Sequence, residues 1–136
     1  MEGIDRALQL KKRAQQEFLE IYEDLYKDDN IITFEVLSEI PLNTPTIIGE
    51  GVKAEMIERH TNKLVFDCWF DPFGKLEMHK HDCEEVIKIE HGSLKDLISS
   101  EQILKGSAYI IDSMTSHRII AEDLACYARI IFNDLP

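Results

Sequence analysis

The sequence predicts an all-β domain, a sandwich or a barrel, preceded by one long N-terminal α-helix. Apolar residues recur at steps of three and four up to Leu25, and from Ile31 that period gives way to short runs of strand-forming residues. Turn signals separate those runs about every 8 to 12 residues, with no helical stretch among them. A chain of 136 residues suits a single core. The expected division is therefore a helix over residues 1–30 and a β domain over 31–136.

Within the first unit, Ile4, Ala7, Leu8, Ala14, Phe18, Ile21, Tyr22 and Leu25 share one helical face over residues 4–28. Such a helix is about 37 Å long. Lys11 and Gln15 fall on the same arc, where the Lys11 stem packs while its ammonium reaches water. Arg6, Lys11, Lys12 and Arg13 crowd the N-terminal half; Glu20, Glu23, Asp24, Asp28 and Asp29 crowd the C-terminal end. That order opposes the helix macrodipole. Two antiparallel copies would pair the basic half of each with the acidic half of the other, so a homodimer is the expected assembly. Alternatively, water and salt screen these charges and the helix simply caps the domain.

The β pattern starts at "IITFEV" (31–36), followed by the turn-rich "SEIPLNTPTIIGEG" (38–51). "VKAEMIERH" (52–60) and "KLVFDCWF" (63–70) meet at Thr61-Asn62 and read as a hairpin. Further runs are "LKDLI" (94–98), "QILKG" (102–106), "AYIID" (108–112), "HRIIA" (117–121) and "ACYARIIF" (125–132), with Ser99-Ser100 at the turn between the first two.

Composition excludes several function classes. Acids outnumber bases 26 to 15, giving a formal charge of −11, so nucleic acid and anionic membranes are poor partners. No apolar run reaches the roughly 20 residues of a membrane span, and the N-terminus has no apolar signal-peptide core. A cytoplasmic protein is expected. Cys68, Cys83 and Cys126 are odd in number and lack CxxC spacing, which argues against a disulfide framework. Cys68 and Cys126 read as core residues, and Cys83 as a bystander thiol.

The chemistry concentrates in "GKLEMHKHDCEEVIKIEHG" (74–92). On a strand, His79 and His81 emerge on one face about 7 Å apart, close enough to converge on one ion. If the chain turns at "DCE", Glu85 reaches the same ion from the next strand. Imidazole with carboxylate suits Fe, Mn, Ni, Cu or Zn better than calcium or magnesium. The bland alternative is a chance pair of histidines on a solvated edge. Glu85, the bracketing Gly74 and Gly92, and a later histidine, His117 in "GSAYIIDSMTSHRII", weigh against it.

Together these residues resemble the cupin superfamily, small β-barrels of jelly-roll type. Its first motif, G-x5-H-x-H-x3/4-E-x6-G, is matched by Gly74, His79, His81, Glu85 and Gly92 with one residue fewer after the first glycine. Its second, G-x5-P-x-G-x2-H-x3-N, is matched at Gly106 and His117, while Asp112, Met114 and Ala121 stand where Pro, Gly and Asn would be. The resemblance covers roughly residues 52 to 132. It implies that His79, His81, Glu85 and His117 hold one divalent transition metal inside a cupin-type jelly-roll barrel. One or two positions would then stay open for water or substrate.

Alternation places Ile87 and Ile89 on the inward face with Glu85, and Ile119 with His117, so the interior is apolar beyond the metal. Phe66, Trp69, Phe70, Tyr109 and Tyr127 are candidate walls. Arg129, in an otherwise apolar run, would clamp a substrate carboxylate if it faces inward and is an ordinary surface residue if outward. The expected substrate-binding set is Arg129, Tyr109 and Phe70; His60 and His91 read as surface residues, and Asp82 and Glu84 as rim charges. The function expected is a metalloenzyme acting on a small organic ligand, of dioxygenase, isomerase or decarboxylase type. The alternatives are a non-catalytic binding or sensing module and an oligomeric assembly protein.

Overall fold

The computed structural model describes residues 30–135, together with Leu8 and the pair Leu19–Glu20. Almost all of the expected N-terminal helix, and the dimer inferred from it, lie outside the described residues. Leu19–Glu20 form a two-residue strand, β1, paired parallel with Thr46 and Ile47. At those two positions strand replaces the expected helix, because a free sheet edge supplies backbone partners that outweigh local propensity.

A second correction concerns "IITFEV". Phe34–Ser38 is a short helix, α1, not a strand. The run is rich in β-branched and aromatic residues, which favour strands when a partner is alongside. Here Thr33 caps the helix, its hydroxyl accepting from Val36 N at 3.1 Å. Asp82, distant in sequence, accepts from Phe34 N at 2.8 Å. Phe34 and Leu37 turn inward, and Ile40 is buried just beyond the helix.

The remaining strands are β2 (Thr46–Arg59), β3 (Lys63–Lys75), β4 (Glu84–His91), β5 (Leu94–Asp96), β6 (Gln102–Ile103), β7 (Ala108–Ile111), β8 (Ile119–Ala121) and β9 (Cys126–Asn133). The order β6-β5-β8-β3-β9-β4-β7, with β2 on the other side of β3, makes a nearly closed, mainly antiparallel barrel. Arg59 faces Leu64, so the hairpin expected at Thr61-Asn62 is present. β5 and β6 pair antiparallel around the expected Ser99-Ser100 turn.

Strict alternation builds the interior. Val52, Ala54 and Met56 of β2 face inward with Leu64, Phe66, Cys68 and Phe70 of β3. Ile87, Ile89 and Ile119 are buried in the same core as Cys126, Ala128, Ile130 and Phe132 of β9. β3 is also buried on its other face at Val65, Asp67 and Trp69, so it reads as a near-continuous apolar run. No helix among the described residues is long and apolar enough to cross a membrane.

Candidate metal centre

Two backbone devices bring the four candidate ligands together. His79 and His117 form an antiparallel bridge, His79 N donating to His117 O at 3.0 Å and His117 N to His79 O at 2.9 Å. Met114 N donates to His81 O at 2.6 Å, tying the turn before His117 to the HxH segment. Met114 has φ 62°, a left-handed conformation that favours glycine. The cupin pattern has glycine at this position, so the turn keeps its shape although the residue has changed.

His79, His81, Glu85 and His117 are all buried, and one donor atom from each lies within 4.8 Å of the others. Each imidazole is oriented by a backbone carbonyl. His79 Nδ1 lies 2.6 Å from Glu77 O, His81 Nδ1 2.7 Å from Ile32 O, and His117 Nδ1 3.0 Å from Thr115 O. A carbonyl oxygen only accepts, so each Nδ1 carries a proton, and each ring in its neutral form turns a bare Nε2 lone pair inward. His81 Nε2 and His117 Nε2 stand 3.0 and 3.2 Å from Glu85 Oε1. All three of these atoms are buried without a well-formed hydrogen bond. Lone pairs facing a carboxylate in a dry interior call for a cation between them. Three imidazole nitrogens and a carboxylate oxygen fit a first-row divalent transition metal.

Without metal, a proton takes part of that role. Burial disfavours the charged form of His117, yet the charge and contact of Glu85 outweigh it and raise its pKa above 6.5. For Glu85 burial acts upward, but His117 and His81 hold the carboxyl well below its ordinary range. His79 is pushed down to about 3, by burial first and then by its two histidine neighbours.

These directions give a pH dependence for the metal-free protein. From pH 6.5 down to about 3 the unfolded chain takes up a proton at residue 79 that the folded chain refuses, so stability falls with acid. The Glu85 contribution is present above the ordinary carboxylate range and is lost as acid titrates the folded carboxyl. The His117 contribution is complete below 6.5 and is lost as pH rises through its raised folded value. Thermal scans of chelator-treated protein from about pH 4 to 9 should show Tm falling on both sides of neutrality, with His79→Gln flattening the acid limb. A flat profile contradicts this electrostatic account.

Beside the four ligands lies a cavity of about 40 Å³. Its walls are Ala54, Phe66, Cys68, Ile130 and Phe132 from the barrel strands, with Ile48 and Leu76. Ile32, Leu37 and Ile40, in and beside α1, line it as well. This segment was not legible as part of the site, because its run reads as a strand. The signal that would have found it is Thr33 three residues before Val36, a capping spacing.

The expected substrate-binding residues are not brought to this cavity. Ile130 and Phe132 line it, so Arg129, flanked by the buried Ala128 and Ile130 and out of phase with them, faces the other side of β9, where it pairs with Asp67 at 3.2 Å. Tyr109 is half-buried and donates to Asp96 at 2.8 Å. Phe70 is core, opposite Cys126 in register. His60 is exposed beside Glu58, and His91 is exposed and stacks on Tyr127, as expected of surface residues. Cys83 is buried, and burial pushes its thiol up to about 12, so it is a poor nucleophile.

Comparison with solved structures supplies the fold. An RmlC-like cupin from Shewanella frigidimarina superposes with TM-score 0.61 at 16% identity, over 68% of this chain and 85% of that one. The chain has a cupin fold. The polyketide cyclase RemF from Streptomyces resistomycificus matches with TM-score 0.57 and 16% identity, over 64% of this chain and 68% of that one. A chain from the Rhodobacter sphaeroides complex of SigE with the anti-sigma ChrR matches with TM-score 0.58 and 18% identity, over 66% of this chain. The match spans about half the length of that relative, 48%. No protein-family model and no curated protein matches the sequence.

Proposed function

We propose that this cupin binds one divalent transition metal through His79, His81, Glu85 and His117, and that it is a metalloenzyme acting on a small organic molecule. One observation carries the reading: three imidazoles, each fixed by a backbone carbonyl, aim their lone pairs at a carboxylate already within 4.8 Å. When bound, such a metal supplies Lewis-acid or redox chemistry at a position next to an apolar cavity. The chain's own part is to aim each Nε2 inward through the carbonyl on its Nδ1, to hold Glu85 ionised and to wall the site with Ile32, Leu37 and Ile40.

The competing reading is a binding or sensing module without turnover, supported by the small size of the cavity. The same fold occurs in a polyketide cyclase and in a sigma–anti-sigma complex, so fold does not choose between them. The test has two arms. Elemental analysis of protein purified without added metal is expected to find close to one transition metal per chain. Oxygen uptake or product formation over a panel of small organic molecules then separates enzyme from sensor. Trace metal that is indifferent to replacement of His79 and His117 would sink the metal reading, and full occupancy without turnover favours the sensor.

A further inference from the structure

The polar groups of the cavity all belong to the metal centre. Every other lining side chain is hydrocarbon except Cys68, whose thiol is kept neutral by burial first and then by the charges of Asp67 and Glu85. Among the described residues, no lysine, arginine, serine, threonine, asparagine or glutamine lines the space. The one arginine of the adjoining strand, Arg129, lies across β9 and is paired with Asp67. A second charge on a ligand would therefore be stripped of water with nothing to replace it, at a cost of several kcal/mol. The head of the ligand meets the opposite environment. Neutral imidazoles and one carboxylate do not cancel a dication, so an anionic or strongly polarised donor atom is welcome there.

Size narrows the class further. About 40 Å³ holds roughly three water-sized groups at ~10–15 Å³ each, so the body amounts to about three or four carbon atoms. Leu37 and Ile40 of the α1 segment contribute one wall of that space. They are positioned by the bonds that fasten the segment beside the HxH run, including Ile32 N to Lys80 O at 2.9 Å.

We propose that the ligand of this site carries a single metal-binding head on a short apolar body with no second charged group, and that Leu37 limits the length of that body. This rests on the metal reading above, and it replaces the carboxylate clamp that Arg129 suggested in the sequence.

The test uses full-length protein loaded with Zn(II) or Co(II), its metal content measured first. Three hydroxamic acids serve as probes because they share one metal-binding head: acetohydroxamic acid, butyrohydroxamic acid, and succinic monohydroxamic acid, which ends in a carboxylate. Calorimetry is expected to rank the butyro compound about 10-fold above the aceto compound and about 100-fold above the succinic one. Leu37→Ala, checked for unchanged metal content, should improve hexanohydroxamic acid relative to the butyro compound by about 10-fold. The proposal is overturned if the succinic probe binds equally or better, if affinity ignores tail length, or if no probe binds the loaded protein. In those cases the metal reading stands, because the loaded metal has been measured. If the protein retains no metal, that reading fails before any probe is added, and the ligand class falls with it.

Discussion

Replacing His117 with alanine is expected to weaken divalent transition-metal binding by roughly two to three orders of magnitude. A site worth about 10–16 kcal/mol shared among four donors gives each about 2.5–4 kcal/mol. His117 contributes more than a donor atom, because its ring also stands 3.2 Å from Glu85 Oε1 and its backbone bridges to His79. The alanine variant keeps both backbone bonds, so the barrel persists while the donor is lost. Competition against a chromophoric chelator measures the change. The control is His60→Ala, which removes an exposed imidazole paired with Glu58 and should leave affinity unchanged. If His117→Ala and His60→Ala behave alike, metal held at this centre is not what the four residues provide.

The second large effect concerns stability. Gly92→Ala is expected to destabilise the fold by about 3–5 kcal/mol, read as a shift of the urea midpoint. Gly92 has φ +83°, and a Cβ built there would meet Ala125 O at 2.5 Å and Cys126 Cα at 3.1 Å. Both atoms are backbone at the start of β9, the strand that carries Ile130 and Phe132 into the cavity wall. They cannot yield without moving that strand. Gly106 isolates the conformational part of the cost. Its φ is +98°, yet nothing lies within 4 Å of an added Cβ, so Gly106→Ala should cost only about 1 kcal/mol. Equal costs at the two positions would show that backbone conformation alone, and not the close approach of β9, makes Gly92 necessary.

Much of the centre was legible in the sequence because its grammar is local. HxH on an extended segment fixes two donors on one face, and the turn at 82–84 returns the chain with Glu85 inward. The alternation of Ile87, Ile89 and Ile119 correctly named core residues for the same reason. Arg129 was not legible, since its direction depends on which neighbours of β9 face the core, and that parity comes from pairing with β3 and β4. Tyr109 and Phe70 do not line the cavity, and core packing, the commoner role for such aromatics, accounts for Phe70. The α1 segment escaped because a strand-like composition was overruled by one cap from Thr33 and another from Asp82. Asp82, read as a rim charge, is exposed as expected but also anchors that helix.

The bond from His81 Nδ1 to Ile32 O has a consequence for how this cupin could be watched in solution. The carbonyl that aligns the donor belongs to the same short stretch whose amides are locked to the HxH run, Ile32 N on Lys80 O and Lys80 N on Asn30 O. Whatever fixes the imidazole therefore also slows the openings that let those two amide protons exchange with deuterium, and whatever loosens the stretch costs the donor its alignment. On the metal reading, the exchange rates of Ile32 and Lys80 become a built-in gauge of occupancy, readable without a substrate.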